Sequence, residues 1–144
     1  MSNTELTRQL RGWWHTHRRG RVVSYAGFFV PDGSLLSPDL AYIGSAQLKG
    51  LTAADYEHFP RLCPDFVIEL RSISDTLRDA KRKLEVWMEN GAALGWLVDP
   101  YSRTVHLYQR DVLPLAFTGK LLSGTGPVEG FTLDLEEVWA CYEL

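Results

Sequence analysis

The chain has 144 residues, of which 45% are hydrophobic, 12% aromatic and 23% charged, a composition that fits one folded domain over residues 1–144 and excludes a disordered chain. Its net charge of −3 argues against bulk coating of nucleic acid, but residues 1–83 carry 12 Lys/Arg against 9 Asp/Glu while residues 84–144 carry 3 against 9, and this asymmetry leaves room for an anionic partner on one side. No apolar run approaches the ~20 residues of a membrane span, no basic stretch followed by an apolar one opens the chain as a secretory signal would, and two cysteines, Cys63 and Cys141, are too few for a disulfide framework, so a cytoplasmic setting is expected.

In chain order, Ser2 and Glu5 have capping-box spacing, and Leu6, Leu10, Trp13 and Trp14 recur at helical intervals. Residues 3–18 therefore predict an amphipathic helix, ended by Gly20. Residues 21–26 and 28–30 read as strands, with a turn at Pro31-Asp32-Gly33. A short strand over 40–43 is entered from Ser37-Pro38-Asp39. Residues 44–63 read as loop with a short helix over 51–56 capped by Thr52. Residues 66–70, Phe-Val-Ile-Glu-Leu, form a near-continuous apolar strand. A helix over 75–90 follows, starting near Asp75, with Leu77, Ala80, Leu84, Trp87 and Met88 on one face and Gly91 as its stop. Residues 94–98 read as a second buried strand and 104–109 as its hairpin partner. Residues 119–130 are turn-rich, and 133–141 predict a terminal helix. Apolar strands on both sides of the 75–90 helix suggest a β-α-β crossover in a mixed sheet.

The chemistry concentrates at Glu69. A glutamate inside an apolar strand is costly to bury without a partner. Alternation places Glu69 on the face of Val67 and Arg71, and Asp39 opens another short apolar strand. Two carboxylates brought to neighbouring strand ends form an oxygen site for a hard cation such as Mg²⁺ or Mn²⁺. Such an ion activates water and neutralises charge on a scissile phosphate. The competing reading makes Glu69 half of a buried ion pair with Arg71 or a helix lysine. Lys81 and Lys83 flank the apolar face of the 75–90 helix on opposite sides, each roughly 70–90° from its centre, so periodicity does not choose between them. Arg78 and Arg82 point further out.

Four ordered blocks carry a resemblance: Ser37-Pro-Asp39-Leu-Ala; Cys63-Pro-Asp-Phe-Val-Ile-Glu69-Leu-Arg-Ser-Ile-Ser74; Arg78-Asp79 with Lys83-Leu-Glu-Val-Trp87 and Asn90-Gly-Ala; and Gly95-Trp-Leu-Val-Asp99-Pro100. Together with Gly130-Phe-Thr-Leu-Asp-Leu near the end, the chain resembles the Uma2 family (DUF820), described as restriction endonuclease-like. The resemblance implies the α/β (α+β) PD-(D/E)XK nuclease fold, a mixed central sheet flanked by helices. It also implies metal ligands at Asp39, Glu69 and the backbone carbonyl of Leu70, with Mg²⁺ or Mn²⁺ as cofactor. Arg71 stands where the standard motif has lysine, and would contact a phosphate. Lys83 on the following helix takes the lysine's place, and Glu5 falls on a supporting acidic position that its capping role contests. Asp65 reads as a strand-entry residue. Members of the family carry a further helix and β-hairpin ahead of the segment where this chain begins. Without that piece the sheet is expected to lack an edge strand or to take one from a partner, making a homodimer.

Other candidates are weaker. His15, His17, His58 and His106 lack further ligands at metal spacing, and Cys63 and Cys141 lack a nucleophile's partners. The five tryptophans read as core or interface anchors. Arg8, Arg11, Arg18, Arg19 and Arg21 form either a nucleic-acid contact or a solvated helix face. The leading expectation is a Mg²⁺-dependent endonuclease acting on DNA, with Asp39, Glu69 and Lys83 as catalytic residues. The alternatives are a non-cleaving relative that dimerises or binds nucleic acid, and a folded remnant without function.

Overall fold

The computed structural model describes residues 4–24 and 26–143. Ser2 of the expected capping box and Tyr25 of the expected first strand lie outside these residues. The elements are α1 (Thr4–His17), β1 (Arg21–Ser24), β2 (Phe28–Phe29), β3 (Leu35–Leu36), β4 (Leu40–Ile43), α2 (Ser45–Lys49), α3 (Ala53–Glu57), β5 (Phe66–Leu70), α4 (Leu77–Glu89), β6 (Leu94–Asp99), β7 (Thr104–Gln109), β8 (Val112–Phe117), β9 (Leu121–Ser123), a 3₁₀ turn (Gly126–Val128), β10 (Thr132–Asp134) and α5 (Leu135–Ala140).

Six strands form one mixed sheet in the order β1-β4-β5-β6-β7-β8. Among the described residues only β5 and β6 run parallel, joined by α4 as the β-α-β crossover that the apolar pattern predicts. The other neighbours are antiparallel. Because side chains alternate along a strand, the sheet buries two sets of residues. Leu40, Phe66, Ile68, Trp96 and Val98 pack on Leu6 and Leu10 of α1 and on the β9–β10–α5 segment. Ala41, Val67 and Leu97 pack on Ala80, Leu84 and Trp87 of α4 and on Phe28 and Val30 of the β2–β3 hairpin. The molecule is thus an α/β/α sandwich.

Local signals explain the crossover helix. Thr76, not Asp75, caps α4: its hydroxyl accepts the Asp79 amide at 3.0 Å. Asp75 lies one residue outside the cap and is left for another partner. After Asn90, Gly91 turns the chain at φ 112°, a left-handed conformation that glycine adopts without a Cβ penalty. Gly95 in β6 is required for a different reason: a Cβ there would meet Leu84 Cδ1 at 2.8 Å and Val67 Cγ2 at 3.4 Å. The missing side chain brings α4 down onto the sheet.

Three expected elements change. Residues 45–49, read as loop, form α2, where the Gln47 side chain accepts the Gly44 and Asp65 amides. The strand at 28–30 shortens to Phe28–Phe29 and pairs with Leu35–Leu36 across the Pro31–Gly33 turn. The last helix starts after Asp134 and not at Leu133. Leu133 instead pairs with Leu122 in a two-stranded ribbon, and Asp134 Oδ1 accepts the Glu136 amide at 3.1 Å as the helix cap.

Candidate active site

The antiparallel register of β4 and β5 sets Leu40 opposite Ile68 and Ala41 opposite Val67. One step further it sets Asp39 opposite Glu69, on the α4 side of the sheet. Hydrogen bonds lock the pair. The Asp39 amide donates to Glu69 Oε1 at 3.2 Å, and the Leu70 amide donates to Asp39 Oδ2 at 2.7 Å. Each carboxylate is therefore anchored to the other's strand.

Glu69 is 7% exposed. Its second oxygen, Oε2, accepts the Trp87 indole N–H at 2.9 Å. Among the described residues no basic side chain lies within salt-bridge distance of it. Burial is the strongest influence on its carboxyl and pushes the pKa up to about 7; the Trp87 hydrogen bond opposes this and the neighbouring Asp39 charge adds to it. The buried ion pair considered for Glu69 does not form. Arg71 turns instead to Asp99, its Nη1 donating to Oδ2 at 2.9 Å, and its Nε donates to the Asp75 carbonyl at 3.3 Å. Asp99 is fully buried. Burial works against its charge, but the Ser102 hydroxyl and the Arg71 guanidinium hold its carboxyl below the usual range. A phosphate contact by Arg71 would have to compete with Asp99.

The structure separates the two lysines that periodicity could not. Asp79, Lys83 and Trp87 lie four residues apart along one side of α4 and, with Leu36, Ser37 and Glu69, line a cavity of ≈ 320 Å³. Lys81 lies on the other flank, where its charge bears on His106. The Lys83 ammonium is 3.2 Å from Asp75 Oδ2, so the residue just ahead of the α4 cap tethers it.

Glu5 is not brought to this cavity. It sits on α1, across the sheet, where Arg8 and Gln9 hold its carboxylate at 2.7 Å and Gln9 ties it to Asp134. No group of three or more His, Cys, Asp or Glu capable of holding a metal occurs among the described residues. Burial pushes the Cys63 thiol up to about 12, which removes it as a nucleophile at neutral pH.

Three contributors escape a reading of the sequence: Trp87, Asp75 and Asp99. Trp87 carried a usable signal. A buried indole needs an acceptor for its N–H and a buried glutamate needs a donor, and Trp87 is one helical turn from Lys83. Asp75 and Asp99 meet their partners through tertiary contacts that spacing does not reveal.

The donor set can be tested against a divalent ion. Two carboxylates on facing strands, one buried without a cation, suit Mg²⁺, which uses one or two carboxylates and keeps several waters. They do not suit zinc, which takes a closed set of nitrogen and sulfur ligands in structural sites.

Comparison with known proteins agrees with this architecture. A crystal structure from Anabaena variabilis, described as "a putative nuclease belonging to DUF820", superposes with a TM-score of 0.80 over 96% of this chain and 78% of that one, at 15% identity. That likeness is one of fold, and it bears out the expected fold class. A DrdV–DNA complex aligns with 72% of this chain and 9% of its own, at 17% identity and a TM-score of 0.43, too remote to carry weight. No curated protein matches the chain at a significant level. The family model for Uma2, described as "Putative restriction endonuclease", matches residues 2–136, and the chain belongs to that family.

Proposed function

We propose that the chain is a Mg²⁺-dependent endonuclease that hydrolyses phosphodiester bonds of DNA. The observation that carries this reading is the cross-strand pair of Asp39 and Glu69, with no cation against Glu69, which lines a cavity together with Lys83. Asp39, Glu69 and the Leu70 carbonyl would hold the ion. When bound, Mg²⁺ supplies Lewis acidity toward a phosphate oxygen and lowers the pKa of a water.

The remaining work falls to the protein. The strand pairing fixes both carboxylates before substrate arrives, so little reorganisation is needed on binding. Trp87 orients Glu69 and leaves its other oxygen to the Asp39 side. Lys83 reaches the cavity from α4, tethered by Asp75, and would position the attacking water or neutralise charge developing on the phosphoryl oxygens. Arg71 and Asp99 brace the C-terminal end of β5, next to Leu70.

The test is plasmid cleavage with Mg²⁺, with Mn²⁺ and with EDTA, beside Glu69→Gln and Lys83→Ala. Cleavage that requires the ion and is lost in Glu69→Gln supports the site. Equal cleavage by wild type and Glu69→Gln would sink it. A folded wild type that cleaves under neither metal favours the non-cleaving alternative.

A further inference from the structure

A basic surface lies away from the cavity. Arg11, Trp14, His15 and Arg18 recur at i, i+3, i+4 and i+7 along α1 and just past its end. That spacing sets them on one face of the helix, and Arg19 follows. Arg11, His15, Arg18 and Arg19 are exposed. Across α1 from them, Leu6 and Leu10 are buried against the sheet. Among the described residues no carboxylate lies within salt-bridge distance of Arg11, Arg18 or Arg19, whereas Arg8 is taken up by Glu5 at 2.7 Å.

The patch is preorganised. The Trp14 indole N–H donates to the Gly20 carbonyl at 2.9 Å, which pins the ring at the α1–β1 turn. The guanidinium of Arg18 sits 4.9 Å from that ring's centre and that of Arg11 6.0 Å. Arg18 holds this place at φ 59°, with its Nε donating to the His15 carbonyl at 3.2 Å. A guanidinium stacked on an indole is weakly hydrated and presents its edge to a bidentate acceptor, the geometry that phosphate oxygens offer.

The patch is distinct from the cavity. It lies on the α1 face of the sheet, whereas Glu69 faces α4. It also lies at the opposite end of the strands. Arg21, where β1 begins just after the patch, pairs with Ile43, and Ile43 is four residues from Asp39, ~13 Å along a strand.

We propose that Arg11 and Arg18, organised on Trp14, and the neighbouring Arg19 bind the phosphodiester backbone of a nucleic acid at a second surface, separate from the Asp39–Glu69 site. This rests on the nucleic-acid reading of the function but not on cleavage. A regular run of phosphates matches several like-charged groups along one helix face. An anionic lipid surface matches less well, because binding there also uses apolar side chains. Among the described residues the large exposed hydrophobic ones, such as Phe29, Phe59 and Leu113, all lie outside α1 and the turn after it.

The experiment measures binding of the whole chain to a short DNA duplex in EDTA, which prevents cleavage, across a salt series. Arg11→Gln/Arg18→Gln/Arg19→Gln is compared with the matching triple lysine variant and with wild type. The expected result is a loss of about tenfold or more in affinity for the glutamine variant, and a salt dependence shallower by about 0.9 per phosphate contact removed. The lysine variant should keep most of the slope because it keeps the charge. All three residues are exposed, and the melting temperature of each variant checks that it folds. Unchanged affinity and slope in the glutamine variant would overturn the proposal. So would absence of DNA binding by wild type, or a loss confined to binding of phosphatidylserine vesicles. Binding that depends on the patch, without cleavage in Mg²⁺, would sink the nuclease and leave this surface standing.

Discussion

Glu69 holds a proton more tightly in the folded chain than it does unfolded. Burial moves its pKa from 4.5 to about 7. The sign follows: below the unfolded value the carboxyl is neutral in both states and costs nothing. As pH rises past it, the unfolded chain releases the proton first and folding loses ground. In the metal-free protein this amounts to about 3 kcal/mol by the time pH exceeds the folded value. Glu69→Gln cannot ionise, so wild type should lose stability relative to this variant as pH rises over that range. Denaturant midpoints in EDTA at about pH 5 and about pH 8 check this. A difference between the two proteins that does not change with pH would count against a buried, neutral Glu69. Trp87→Phe isolates the indole. The ring packing, edge-on to Phe28 at 6.4 Å, is largely kept, but a buried carboxylate oxygen loses its donor at a cost of about 1–3 kcal/mol. Because that hydrogen bond holds the Glu69 pKa down, its loss should move the acid limb of the metal-dependent cleavage profile to higher pH. A merely structural role for Trp87 would lower the rate without moving that limb.

At the scale of elements, α4 carries both Lys83 and Trp87, so its seat on the sheet sets the cavity's shape. Gly95→Ala would push a methyl to 2.8 Å from Leu84 Cδ1. Leu84 is fully buried and has little room to yield, so overpacking should cost about 1–3 kcal/mol. The shift should also lower metal-dependent cleavage without altering any chemistry-bearing residue. Thermal melts beside initial rates check both effects, and unchanged values for each would show that α4 adjusts freely. The β5–α4–β6 unit was legible because its signals agree: two apolar runs, one apolar helical face, and a glycine at the stop. Val112–Phe117 was not, because Pro114 interrupts the pattern. Proline is tolerated there since β8 is an edge strand. Asp39 and Glu69 stood out as carboxylates on apolar strands, but their pairing depends on the β4–β5 register, which alternation alone leaves open. The choice between Lys81 and Lys83 was beyond periodicity for a like reason: the apolar centre of α4 lies midway between them. It is the Leu36–Ser37 segment, meeting one flank only, that makes that flank a cavity.

At the scale of the molecule, the sheet separates two surfaces of different character, an arginine-rich face on α1 and a carboxylate-bearing cavity under α4. Metal binding at the proposed Asp39–Glu69 site would be joined to folding. Its carboxylates come from β4 and β5, which meet only in the native sheet, so an ion that needs both binds the folded chain and hardly the unfolded one. Linkage then requires Mg²⁺ to stabilise the protein, by about 2.7 kcal/mol at a hundredfold excess over the dissociation constant. For a chain of this size that is a rise of roughly 5–15 °C in the melting temperature. The rise should grow with pH through the Glu69 pKa of about 7, because the ion competes with the proton for the carboxylate. Glu69→Gln and Asp39→Asn should each lose most of it. Arg11→Gln, on the far face, should keep it. Melting in EDTA and in graded Mg²⁺ reads this without any substrate. A wild-type melting temperature indifferent to Mg²⁺ at about pH 8 would remove the metal from the Asp39–Glu69 pair whatever the cleavage assay shows.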